Sequence, residues 1–355
     1  TFNIGAMPSF AGVHNNCGEM NAERQKAIAD LINKMDDDVI CIQEAFEGFG
    51  PIAEQVKEKF PYILYDVGRN SQTRLGSGLA ILSRYPIKTF SYQKHPCAGG
   101  IDALARKGVL AATINLPGKR PFLLFNTHLN AGAPRSKEFP DAAHDYRRDQ
   151  LIGMKNTIRE YVVQHFKKSS NDPQKPVVLG AGDLNIGPTE KSTRPNKTVL
   201  DFEWFGANRN VATLDKSEFY KIMSPDYYDT VTDRFFKETW KNNLLNKEIL
   251  AGHVKDFSRK TADDLAKLAT SLNRDRPPKE EDGNKVPELD VQQLDHVFSI
   301  RDEVFGDNRD RIAKLSAPDI EVQDIRKSPY LVSDHAPLHV TYKIVEDATN
   351  MVSPD

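Results

Sequence analysis

Nowhere does the chain carry an apolar run near the roughly 18 residues that cross a bilayer as a helix, so any contact with lipid is expected to be peripheral. An excess of positive charge is missing too. Forty-eight Lys and Arg against 50 Asp and Glu give a formal net charge of -2, which offers no electrostatic case for nucleic acid as a partner. A local basic groove on a near-neutral protein would still admit a nuclease. Cysteine is scarce, and Cys17, Cys41 and Cys97 are odd in number with no short spacing between them. Neither a disulfide framework nor a zinc site follows from that pattern. Cys41, inside Val39-Ile40-Cys41-Ile42, reads as a buried core thiol, and a bridge between Cys17 and Cys97 is left open. No internal repeat and no Gly- or Ser-rich linker divides the 355 residues.

What the chain does hold is the composition of an ordinary globular protein, 39% hydrophobic and 28% charged. Its length would allow two domains, but large α/β folds often run as one. The sequence opens at Thr1, inside a strand-like segment, and is read as a processed or trimmed product. Short apolar runs alternate with helical patterns, the mark of a layered α/β domain. Strand candidates are Thr1–Met7, Asp38–Gln43, Tyr62–Asp66, Gly78–Ser83, Gly108–Leu116, Pro121–Leu129, Pro176–Ala181, Gln293–Ile300 and Ala336–Ile344. One helix is expected over Glu19–Met35, with Ile28, Leu31, Ile32 and Met35 forming a single apolar stripe. A second is expected over Asp141–His165, with Asp141 as N-cap and Leu151, Met154, Ile158 and Val162 on one face. The strands between Tyr62 and Leu129 follow one another without helices, so they are expected to pair antiparallel and the sheets to be mixed. Residues 235–288 differ from the rest, being charged, helix-like and strand-poor, with Leu265, Leu268, Ala269 and Leu272 on one face of a helical segment. Either a surface excursion or a substrate-facing lid or membrane-contacting arm would fit this stretch.

Carboxylates, carboxamides and histidines cluster at the ends of the apolar runs. Glu44 closes one of them, and a strand-end carboxylate is the hard oxygen ligand that magnesium selects. Asn3 on the first strand is placed to add a neutral oxygen. In Gly180-Ala181-Gly182-Asp183-Leu184-Asn185 a strong strand runs into small residues, and Asp183 and Asn185, two apart, would point the same way from an extended backbone. A carboxylate beside a carboxamide can hold a water and donate to a phosphoryl oxygen. His128 ends another strand and His335 follows Asp334 before the last one. An imidazole titrates near neutral pH and can move a proton; Asp295 is the candidate acceptor that would orient it. Taken singly, each of these residues has an ordinary structural explanation, and only their order and shared position favour chemistry.

The ordered set Asn3, Glu44, His128, Asp183-x-Asn185, Asp295 and Asp334-His335 resembles the endonuclease/exonuclease/phosphatase superfamily, the deoxyribonuclease-like fold, over residues 1 to about 345. The resemblance implies a four-layer α/β sandwich, with two mixed β-sheets packed face to face and helices outside. It implies a single catalytic domain over 1–355 with a helical insertion at about 235–288. It implies that Glu44, with Asn3 and Asp334, holds Mg2+ (or another divalent cation), and that Asp183 and Asn185 position water and phosphoryl group. His335, oriented by Asp295, would be the general base, and His128 would stabilise phosphoryl oxygens or help protonate the leaving group.

Three further segments are similar to neutral and bacterial sphingomyelinases: Asn15-Asn16-Cys17-Gly18-Glu19 with Glu23-Arg24, Gly78 to Ile87, and Cys97 to Gly108. In the last, the resemblance makes Lys107 a phosphate contact and Asp102 either a choline contact or a brace for the loop; a Gly-rich turn with one solvated lysine is the plainer reading. The chain differs from secreted bacterial sphingomyelinases in having one aromatic residue within 318–330, where theirs carry an aromatic hairpin, and Ala131-Gly132-Ala133-Pro134 where a second cysteine would stand. The expected activity is therefore a magnesium-dependent phosphodiesterase of phospholipase C type, cleaving sphingomyelin or a related phospholipid at a membrane surface. A monomer is expected, secreted or exported. The alternatives are a magnesium-dependent endonuclease and, less favoured, a phosphoinositide phosphatase, whose Trp-x-Gly-Asp-Leu-Asn run is not present.

Overall fold

A computed structural model describes residues 1–7, 20–69, 75–131, 142–168, 174–185, 227–228, 295–300, 311–316, 319–322, 332–333, 335 and 337–345. In chain order the elements are β1 (Phe2–Ala6), α1 (Ala22–Lys34), β2 (Val39–Ala45), α2 (Phe49–Val56), β3 (Tyr62–Leu64), β4 (Ala80–Ser83), β5 (Ile87–Lys94) and β6 (Gly108–Asn115). There follow β7 (Pro121–His128), α3 (Ala142–Lys168), β8 (Val177–Asp183), β9 (Tyr227–Tyr228), β10 (Asp295–Ile300), β11 (Lys314–Leu315), β12 (Asp319–Val322), β13 (Leu338–Thr341) and β14 (Ile344–Val345). The two larger sheets have the orders β1-β2-β4-β3 and β5-β6-β7-β8-β10-β9, and β11–β14 and β12–β13 form two antiparallel pairs. Both larger sheets are mixed: β1 and β2 run parallel, as do β7 and β8, while the remaining pairs are antiparallel.

The layers follow from where each apolar face goes. Cys41, Leu79 and Ile81 from the first sheet meet Leu110, Ala112, Leu124, Leu179 and Val297 from the second, so the sheets pack face to face. The outer face of the first sheet is covered by Ile28 and Ile32 of α1 and Phe49 and Ile52 of α2. Leu151, Met154, Ile158 and Val162 of α3 cover the second. Each such fully buried aliphatic or aromatic side chain contributes roughly 1.5–3 kcal/mol. The four-layer sandwich expected from the sequence is the fold observed. The Cys41 thiol lies in the inter-sheet core, where burial pushes its pKa up to about 12.

The unexpected elements are β5, α2 and the short strands β9, β11 and β12. The strand β5 was not among the expected ones because nearly all of it is exposed; it is an edge strand with Lys88 and Lys94 near its ends, so no apolar alternation marks it. The helix α2 was not among the expected helices, since Gly48, Gly50 and Pro51 at its start are residues common in turns. Gly48 is in fact the left-handed N-cap, and Phe49, Ile52, Ala53 and Val56 make the buried stripe. The expected N-cap Asp141, the helical stretch within 235–288 and most of 318–330 lie outside the described residues, as does Cys17.

The sheet that carries β8 leaves no room at Gly182, where an added Cβ would run into the Thr127 backbone carbonyl of β7. Since backbone cannot move aside as a side chain can, Gly182→Ala is expected to lower stability by about 1–3 kcal/mol, read by chemical denaturation; an unchanged midpoint would contradict the packing. His95, just past β5, is buried with Nε2 3.1 Å from Thr127 Oγ1. Burial, aided by Lys107, lowers its pKa to about 3 from the ordinary 6.5. The unfolded chain therefore takes up a proton between pH 6.5 and 3 that the native state refuses, so stability falls as the pH drops through that window. His95→Gln is expected to flatten that slope in denaturation measured from pH 7 to 4; an unaltered slope would count against it.

Candidate active site

Strand registry builds the centre of the site. His128, at the end of β7, is the pairing partner of Asp183 at the end of β8, and Asp183 is in turn the partner of Asp295 at the start of β10. One imidazole and two carboxylates thus stand in a row across three neighbouring strands of the six-stranded sheet. The four-stranded sheet contributes the opposite wall. Asn3 on β1 donates through Nδ2 to Asp183 Oδ2 at 2.8 Å and accepts from the Gly5 amide at 3.0 Å. Between Asn3 and Ala6 the β1–β2 registry shifts, and both Gly5 (φ 58°) and Glu44 (φ 55°) are left-handed. Such a bulge re-aims a side chain at a sheet rim, here Glu44, whose Oε1 comes to 3.9 Å from His128 Nε2.

Asp183 is the hub. Its Oδ1 accepts the Asn185 amide at 2.8 Å, and its Oδ2 lies 3.6 Å from His128 Nε2 and 3.8 Å from His335 Nε2. Burial raises its carboxyl pKa above the ordinary range; His335 and the Asn3 and Asn185 hydrogen bonds pull the other way, while Asp295 adds to the rise. The sequence reading placed Asp183 and Asn185 on one extended backbone. That is corrected by Asn185 at φ 51°, which is left-handed; the two residues are joined by a turn-type hydrogen bond because Asp bonds the amide two residues on. His335 Nδ1 sits 2.6 Å from Asp295 Oδ2. With Nδ1–H donated there, Nε2 keeps its lone pair for a proton. The His335 amide is held by Ser333 Oγ, which also donates to Asn3 O at 2.5 Å, so the C-terminal segment is fastened to β1.

Lys107 is not the solvated lysine of the plainer reading. Its side chain is 1% exposed, and the ammonium reaches Asp102 Oδ1 at 2.9 Å, Leu129 O at 2.5 Å and His128 Nε2 at 3.0 Å. Three donors meet three acceptors, so a phosphate contact would require one of these bonds to be given up. Asp102 also accepts the Ala131 amide at 2.5 Å, as a brace for the loop would. Burial first, then Lys107, His335 and His95, hold the His128 pKa well below 6.5. At rest His128 is neutral and takes a hydrogen bond at Nε2, so its proton lies on Nδ1, which has no hydrogen-bond partner among the described residues.

The donor set fits a hard cation. Two carboxylates, Glu44 and Asp183, face a neutral imidazole, and oxygen donors of this kind suit magnesium. Among the described residues Asp183, Asp295 and His335 also bring one potential ligand atom each within 4.8 Å of one another. Within that group the short Asp295–His335 hydrogen bond favours a proton-handling pair over a ligand pair, since imidazole is a poor partner for magnesium. Asp334, expected as a third ligand, lies outside the described residues.

The supporting residues His95, Arg147 and Gln150 escaped the sequence reading; Gln43 and Asn126 stood in its strand-end motifs beside Glu44 and His128, and Arg24 in a segment quoted for the resemblance, each without a structural role. Gln43 Nε2 donates to Asn126 Oδ1 at 2.7 Å, and Asn126 Nδ2 reaches Ile42 O and Ala80 O at 2.9 Å, a polar tie between the sheets beneath the site. A signal did exist for Arg24, Arg147 and Gln150. Each continues its helix's apolar stripe one turn toward the N-terminus, where a surface residue would not belong.

Comparison with known proteins agrees with this architecture. The model of the Endonuclease/Exonuclease/phosphatase family matches residues 1–335. An inositol phosphosphingolipids phospholipase C of Schizosaccharomyces pombe is 26% identical over 341 residues, covering 90% of this chain and 70% of that one. Rat sphingomyelin phosphodiesterase 3 is 30% identical over 165 residues, covering 42% of this chain and only 24% of that protein. A Staphylococcus aureus beta toxin variant, solved with bound magnesium ions, superimposes with a TM-score of 0.51 at 16% identity, covering 95% of this chain and 96% of that one. The chain belongs to the endonuclease/exonuclease/phosphatase family.

Proposed function

We propose that the chain is a magnesium-dependent phosphodiesterase of phospholipase C type that hydrolyses sphingomyelin or a related phospholipid and releases the phosphorylated headgroup. The observation that carries the reading is Asp183 Oδ2 held between the two imidazoles, 3.6 Å from His128 and 3.8 Å from His335, with Asp295 behind the latter at 2.6 Å. The substrate class rests on the relatives, whose names are those of phospholipases C and sphingomyelin phosphodiesterases. No helix among the described residues is long and apolar enough to cross a membrane.

In this reading His335 Nε2 takes the proton of the attacking water. Asp295, hydrogen-bonded at Nδ1, fixes the tautomer and stabilises the imidazolium that forms. Asp183 and Asn185 orient the water and the phosphoryl group. Asn3 keeps one Asp183 oxygen in place, and Asn185 has a second amide proton beyond the one given to Leu129 O at 3.1 Å. His128, neutral and backed by Lys107, lines the phosphoryl side. Glu44 and Asn3, with Asp334, would hold magnesium, which when bound offsets negative charge on the phosphoryl oxygens.

Glu44→Gln and His335→Ala are each expected to cut turnover at least about a hundredfold in a phosphocholine-release assay with sphingomyelin vesicles; near-normal turnover by either would remove that residue from the mechanism. Chelation with EDTA should abolish turnover and added Mg2+ restore it, and activity that survives chelation would rule out the cation. Offered side by side, sphingomyelin, phosphatidylcholine, an inositol phosphate and plasmid DNA separate the readings. Turnover confined to DNA, weakening steeply with salt, would replace the lipid reading with the nuclease one.

A further inference from the structure

The mechanism leaves unused a set of buried polar groups on the first turns of α3. Arg147 is 2% exposed, yet it faces the strand ends rather than solvent. Its Nη1 donates to Asn185 O at 2.6 Å and to Asn130 O at 3.2 Å. One turn on, fully buried Gln150 accepts the Asn130 amide at 2.8 Å and donates to Cys97 O at 2.8 Å. Asn130 in turn accepts the Gly99 amide at 2.9 Å. Two side chains of one helix therefore grip the chain just past His128, just past Asp183 and just before the Asp102–Lys107 turn.

We propose that Arg147 and Gln150 are positioning residues, a clamp that holds Asn185 in its left-handed conformation and so sets its carboxamide against the phosphoryl group. A non-glycine residue at φ 51° is strained and persists only where its surroundings over-determine it. Asn185 is held at three points: its amide by Asp183 Oδ1, its side-chain Nδ2 by Leu129 O, and its carbonyl by Arg147. The first two are bonds that Asn185 makes as donor and would leave with it if the turn relaxed. The third comes from a rigid helix packed on the sheet through Leu151 and Met154. Both bonds leave the same nitrogen, Nη1, which the planar guanidinium carries one bond beyond the point that a lysine ammonium would reach. The proposal rests on the assignment of Asn185 to the reaction centre but not on which phosphodiester is cleaved.

The test uses the full chain and whichever substrate the parent protein turns over, so failure of the parent to act on any of them speaks against the proposed function, not against the clamp. Arg147→Lys is expected to lower kcat at least about tenfold with KM changed less than threefold, the pattern of an interaction made only in the transition state. In an Asn185→Ala background the same substitution should cost less than about threefold, because the residue it acts through is already truncated. Gln150→Met should lower kcat with the same KM signature. In a sample labelled with 15N-asparagine, Arg147→Lys should shift the Asn185 and Asn130 amide signals and leave that of Asn115, at the far end of β6, in place. Full additivity with Asn185→Ala, a kcat within twofold of the parent, or unmoved Asn185 signals would overturn the proposal. So would loss of folding in both Arg147→Lys and Gln150→Met, since residues that only set the site should leave the sheets intact.

Discussion

The hydrogen bond from the Asn3 carboxamide to Asp183 Oδ2 at 2.8 Å joins the two sheets at the centre of the candidate site. Neither sheet holds a complete site. Glu44 and Asn3 belong to the four-stranded sheet; His128, Asp183 and Asp295 belong to the six-stranded one. His335 comes from the C-terminal segment, which is fastened to the first strand by the Ser333 hydroxyl and by two backbone hydrogen bonds between Thr1 and Leu338. The burial of Asp183 makes the bond matter. A carboxylate taken out of water without partners would protonate or repel its neighbours; against the rise that burial causes, His335 first and then the Asn3 and Asn185 donors favour the charged form.

Local strain gathers around that contact. Glu44 and Asn185 are both left-handed without being glycine, and Gly5 beside Asn3 is left-handed as well. Each non-glycine case costs on the order of 1–3 kcal/mol, and buried helix side chains bond the backbone nearby. Arg24 of α1 donates to Ile4 O, Gly5 O and Val332 O, doing for the β1 bulge and the approach to Ser333 what Arg147 of α3 does for Asn185 and Asn130. The two halves of the sandwich thus use the same device: a buried guanidinium at the start of a helix, bonded to carbonyls at strand ends.

Much of this was legible in the sequence because strand ends are visible there. Apolar runs stop at Glu44, His128 and Asp183, and the layer order follows from which stripes alternate and which recur at helical spacing. The pairing of Asp295 with His335, 40 residues apart, was legible only through the need of an imidazole for an acceptor. The rest was hidden for physical reasons. Edge strand β5 has no buried face to betray it. Gly48, Gly50 and Pro51 stand where helix α2 begins, and their weak helix propensity masks it. The surroundings of Lys107 depend on three acceptors from separate segments, Asp102, His128 and Leu129, and no local pattern reports such a meeting. Asn185 looked extended because spacing by two is the mark of a strand, whereas its position just past β8 let the backbone turn over.

The row His128–Asp183–Asp295 is a cross-section through three paired strands. A slip of β8 by one residue would swap its two faces and send the central carboxylate away from both neighbours. Insertions or deletions within β7, β8 or β10 are thereby barred, whereas the connections leaving those strand ends can lengthen or change at will so long as their first residues stay gripped. Diversity in what such a protein accepts should accordingly be written in the loops above the row, with the row itself held constant by the ladder beneath it.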